Sequence, residues 1–191
     1  MRLQSALGAG AAVLALLVAP TAAAHIINDN GGLLAGIAHP ILGFDHVLAM
    51  LAVGLWAGQT GGRALWAVPL AFVTMMGGGS LLAITGVPLP GVEAGIAASV
   101  LALGLLVALA VKLPLAAGMA LTGAFALFHG HSHGTELPAM VSPVAYGLGF
   151  LVATSLLHVA GVAAARLLDV RRLQIAGVCV AVAGATLIAG L

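Results

Sequence analysis

Seven histidines and five acidic residues are scattered through a 191-residue sequence that is otherwise strongly apolar, and the arrangement of most of them suits metal chemistry. His39, Asp45 and His46 sit in the run 39–54, which is apolar and long enough to be a membrane helix. An unpaired charge in hydrocarbon costs from ~3 kcal/mol upward, so ionisable groups there face a bundle interior and bind something. A second group, Phe128-His129-Gly130-His131-Ser132-His133-Gly134, is followed by Glu136. His158 stands alone in a later apolar segment, and His25 lies near the start. Imidazole combined with carboxylate suits nickel, zinc, copper, iron and cobalt better than magnesium or calcium.

Spacing decides which of these groups can share one ion. On an ideal helix His39 and His46 share a face but stand about 10.5 Å apart along the axis. Pro40 and Gly43 between them can loosen the helix and shorten that gap. Met50 is on the same face and adds a thioether, while Asp45 can bind metal directly or accept the His46 ring N–H. In the second group a helix aligns His129 with His133, whereas unwinding at the glycines would bring all three imidazoles to one side. Counted from the outer face, His39 and the triplet are shallow, Asp45 and His46 near mid-depth, and His158 deepest. Such a ladder fits transport, which needs several sites of moderate strength.

These residues need a membrane scaffold. The composition is 62% hydrophobic and 6% charged, against roughly 25% charged in a soluble domain. The fold class expected is all-α and polytopic, with helices near 33–57, 64–86, 92–111, 113–130, 143–165 and 172–190. Residues 1–24 have a charged start, an apolar stretch and an Ala-x-Ala end, the pattern of a cleaved signal peptide. Residues 25–191 would then be one membrane domain beginning at His25, whose α-amine and imidazole could chelate metal together.

If His25 is exported, Arg63, Lys112, Arg166, Arg171 and Arg172 all fall in cytoplasmic loops, as the positive-inside rule requires. Both mature termini are then periplasmic, in a bacterial inner membrane. Small residues at Gly147, Gly149, Gly161, Gly177, Ala181 and Ala185 suit close helix packing. The triple Gly77-Gly78-Gly79 could instead open its helix so that carbonyls line a cavity. Met50, Met75 and Met76 also read as core fillers, and the lone Cys179 as a small buried hydrophobe.

No basic patch for nucleic acid is present, and no Gly-rich phosphate loop for ATP hydrolysis. The competing reading is an intramembrane metalloenzyme with a His/Asp-bound catalytic metal. It fits less well, because no separate general acid or base stands beside the ligands and the histidines spread over depth.

His39-Pro40, Gly43, Asp45-His46, Met50 and Gly54 match the signature HPxxGxDHxxxMxxxG, and here the chain resembles the HupE/UreJ family of nickel permeases. The likeness extends to Glu93, Ile96-Ala97 and Ser99-Val100, to the 128–136 segment, and to Leu157-His158. It implies a six-helix permease, not an enzyme, with Ni²⁺ as the transported ion and Co²⁺ as an alternative. It further implies a functional link to hydrogenase or urease maturation. His39, Asp45 and His46 carry over as the metal-handling residues, with Glu93 and the His129–His133 group beside them. One departure is the segment 26–32, which lacks the further histidines that some relatives carry.

Overall fold

The structure is a computed structural model that describes residues 31–191; the expected signal peptide and His25 lie outside the described residues. The described chain folds into seven helices: α1 (Gly32–Leu42), α2 (Phe44–Thr60), α3 (Ala64–Ile84), α4 (Val92–Ala108), α5 (Leu115–Thr135), α6 (Pro143–Leu167) and α7 (Val170–Ala189). The architecture is that of a multi-pass membrane protein. α3, α6 and α7 are each long and apolar enough to cross a bilayer, and α1 with α2 form a broken span.

That break is where the structure departs from six continuous helices. α1 and α2 meet at an angle of 81°. Pro40 has no N–H to give to the preceding turn, and Gly43 takes up extended backbone (φ −80°, ψ 109°) between the two helices. The Gly43 N–H still donates to the His39 carbonyl at 3.2 Å, and its own carbonyl accepts from Val47 at 2.9 Å, so the bend leaves these groups satisfied.

α3 packs along α5, α4 along α7, and both α1 and α2 along α6. Glycines permit these approaches. A Cβ on Gly130 of α5 would collide with the Met76 carbonyl of α3, and one on Gly79 with the Leu127 carbonyl. The 77–79 triplet therefore does not open its helix: α3 is continuous, and Gly79 is a packing surface. Among the glycines expected to pack, Gly149, Gly161 and Gly177 do so against α1, α2 and α4, whereas Gly147 meets only the edge of Phe150.

The core is filled by Trp56, Phe72, Phe150, Met50 and Met76. Trp56 Nε1–H donates to the Val111 carbonyl at 2.8 Å, tying α2 to the α4–α5 connection. Large apolar side chains such as Trp66, Leu81, Leu156 and Val178 point outward, as a hydrocarbon solvent allows. Cys179 is exposed as well, contrary to the buried position expected for it, because it lies on the face of α7 turned away from α4.

Candidate metal site

The bend at Gly43 turns α1 so that its histidine approaches that of α2. The His39 and His46 ring centroids are 6.3 Å apart, well short of the separation a straight helix imposes. α5 supplies the other half. It stays helical through Thr135, so His129 and His133 share its buried face, both fully enclosed. His46 lies 4.8 Å from His129 and 4.7 Å from His133, and His39 lies 4.9 Å from His133. Four imidazoles from three helices thus form one cluster. His39, Asp45 and His46 border a cavity of about 360 Å³ together with Glu93 and Glu136.

His131 does not join the cluster. Of the two arrangements open to this segment the helical one holds, aligning His129 with His133 and carrying His131 to the opposite side. There its Nε2–H donates to the Val87 carbonyl at 3.0 Å, pinning the α3–α4 loop. Glycine does not unwind this segment, since Gly130 and Gly134 are occupied in packing against Met76 and Ser80 of α3.

Hydrogen bonds decide which nitrogen each ring presents. Asp45 Oδ1 lies 2.8 Å from His46 Nδ1, and a carboxylate only accepts, so that nitrogen carries the proton. His46 Nε2 keeps its lone pair and is buried without a partner. At His129 the Ser99 hydroxyl, which donates to the Ile96 carbonyl at 2.7 Å, stands 2.8 Å from Nε2. With its one proton committed, Ser99 accepts from His129 Nε2–H, leaving a lone pair on Nδ1, again buried and unpartnered. Both nitrogens of His133 are buried and free, with the ring stacked on Phe150 at 4.7 Å. Orphaned buried acceptors are rare in folded proteins. Three side by side are what a cation would complete, with the second nitrogen held by a carboxylate or hydroxyl as in many metal-ligating histidines.

At the cavity mouth His39 Nε2 lies 3.0 Å from Glu136 Oε2, and Ser132 donates to Glu136 Oε1 at 2.6 Å. The bond from His39 holds the Glu136 carboxyl below its ordinary range. Glu93, in the first turn of α4, adds a second acid to this mouth. The lone pairs are gathered but not converged. Among the described residues, no three His, Cys, Asp or Glu side chains already stand in coordinating geometry.

Depth is arranged differently from the ladder expected. His46 meets both α5 histidines, so it is not set a step deeper than they are, and His158 stands apart from all three. It is buried with both ring nitrogens unpartnered, and Phe72 separates it from the cluster, 5.7 Å from His129 and 5.1 Å from His158. Met50, one turn from His46, and Met76, one turn from Phe72, are fully buried, whereas Met75 is exposed. Sequence reasoning gave Ser99 no role of its own. Its signal is that of a single hydroxyl in an apolar helix.

The HupE/UreJ family profile, described as "HupE / UreJ protein", matches residues 13–187. The chain belongs to the HupE/UreJ family. Protein HupE of Rhizobium leguminosarum bv. viciae is 50% identical over 182 residues, covering 93% of this chain and 95% of the relative. No solved structure matches this HupE/UreJ chain. The matched span contains the cluster, the acidic mouth and His158 together, so the site described is built wholly from family sequence.

Proposed function

We propose that this protein carries a divalent transition-metal ion, Ni²⁺ in the first place and Co²⁺ as an alternative, across a bacterial inner membrane. The ion would supply hydrogenase or urease maturation. The observation that carries the reading is the cluster of His39, His46, His129 and His133: His46, His129 and His133 hold buried free nitrogens, and His39 and His46 border an acid-lined cavity. Glu93 and Glu136 attract the cation at the periplasmic mouth. The imidazoles replace its water, and His158 receives it on the cytoplasmic side. If His25 begins the mature chain, it adds a capture ligand outside. Entry is driven by the membrane potential, worth about 4.6 kcal/mol for a divalent ion at 100 mV, through secondary transport or facilitated diffusion.

The test is uptake of labelled nickel by cells producing the protein, against cells carrying an empty vector. Accumulation above the vector level, competed by Co²⁺ and barely by Mn²⁺, is expected. Equal accumulation in the two strains would dismiss the permease reading.

A second expectation concerns Ser99. In Ser99→Ala the His129 Nε2–H loses its acceptor and the ring is free to present either nitrogen. Loss of such a supporting partner typically lowers metal affinity about 10- to 100-fold. The concentration of nickel giving half-maximal uptake should rise accordingly, and an unchanged value would remove Ser99 from the site.

A further inference from the structure

Below the imidazole cluster the bundle interior holds a polar contact of an unusual kind. Thr154 is fully buried on α6, one turn beyond Phe150 and one turn before His158. Its hydroxyl lies 3.2 Å from Met50 Sδ of α2 and 3.7 Å from Met76 Sδ of α3. Hydroxyls inside apolar helices ordinarily donate back to a carbonyl one turn earlier. In this chain Thr85, Thr122, Thr135, Ser155 and Thr186 all do so. Thr154 gives up that bond for a thioether, a weak acceptor. Gap-filling accounts for two buried methionines, but not for a buried hydroxyl turned between their sulfurs.

We infer that Met50, Met76 and Thr154 form a second cation-binding station, a pair of thioethers with a hydroxyl between the imidazole cluster and His158. This rests on the permease reading and extends it to Met76 and Thr154. Met50 is one turn from His46 on α2, and Thr154 one turn from His158 on α6, so the station continues the column in both directions. The alternative way down is closed by the Phe72 ring, which offers an ion no lone pair. Thioethers are soft ligands. They accept late first-row ions and monovalent copper or silver, and give nothing to Mg²⁺, Ca²⁺ or Mn²⁺. A moderately weak station of this kind lets an ion leave the imidazoles without being trapped, which conduction requires.

The test uses the full-length protein carrying Cys179→Ser, so that methionine is the one source of sulfur. In that background the nickel-loaded protein should show a sulfur neighbour in nickel X-ray absorption. It should disappear in the Met50→Leu/Met76→Leu double variant, while Met75→Leu, an adjacent side chain outside the column, leaves it intact. Leucine nearly conserves the volume of methionine, and amount and thermal unfolding of the purified variant show whether it is folded. In proteoliposomes the double variant should take up nickel at least tenfold more slowly, and Thr154→Val should fall between it and the parent.

Uptake by the double variant within twofold of its parent, or a parent protein without any sulfur neighbour, overturns the station and leaves the imidazole cluster standing. No uptake by the parent protein itself would instead overturn the permease reading beneath it.

Discussion

Cells producing the His46→Ala protein are expected to accumulate no more labelled nickel than cells without the protein. His46 touches each of the other three imidazoles, whereas His39 and His129 are joined only through neighbours. Removing it takes away one free nitrogen and the contact of α2 with both α5 histidines, leaving His39 against His133 alone. His46→Gln keeps much of the volume without the ring, and separates loss of the ligand from collapse of the space. Asp45 supplies a graded comparison. Asp45→Ala frees His46 Nδ1 and lets the ring choose the wrong tautomer, with an expected loss of about 10- to 100-fold in affinity. Asp45→Asn keeps an acceptor oxygen but not the charge, and should fall between alanine and wild type. Wild-type uptake in the folded His46→Gln protein would show that the cluster is not on the route of the ion.

Much of this site could be read before the fold was known, for reasons that differ from residue to residue. Composition alone demanded helices, since a backbone in hydrocarbon must satisfy its own hydrogen bonds. Pro40 and Gly43 announced a weak point between His39 and His46. The size of the bend depends on how α1 packs against α6, with Gly36 pressed on Tyr146 and Gly149 on Leu33, and local sequence does not contain that.

The 128–134 segment was ambiguous in the opposite sense, because its glycines serve either unwinding or close packing. Only the position of α3 shows that Gly130 and Gly134 are used for packing, which sends His131 away from His129 and His133. Ser99 and Thr154 were the least legible. A single hydroxyl in an apolar helix acquires meaning from whatever the neighbouring helix brings to it, here a ring nitrogen and two sulfurs.

The second large effect is expected at Gly54, the last position of the signature that begins at His39. A Cβ there would run into the His158 carbonyl oxygen of α6, and one on Gly161 into the Leu51 carbonyl of α2, so the two helices touch backbone to backbone. Carbonyl oxygens cannot swing aside as a side chain can, and the helices must part. Gly54→Ala should cost about 1–3 kcal/mol, the usual range for overpacking, and Gly54→Leu more. Gly147→Ala on the same α6 is the control, since its Cβ would meet only Phe150 Cε1 at an ordinary 3.9 Å. That variant should be neutral or slightly more stable, because alanine favours a helix over glycine by up to about 1 kcal/mol. Thermal unfolding of the purified proteins reads the difference. Uptake should fall further than the loss of stability alone explains, because α2 carries His46 and Met50 while α6 carries Thr154 and His158. Parting these helices separates Met50 from Thr154 and so breaks the column between the cluster and His158. A Gly54→Leu protein as stable and active as the wild type would mean that the signature glycine does not hold the column together.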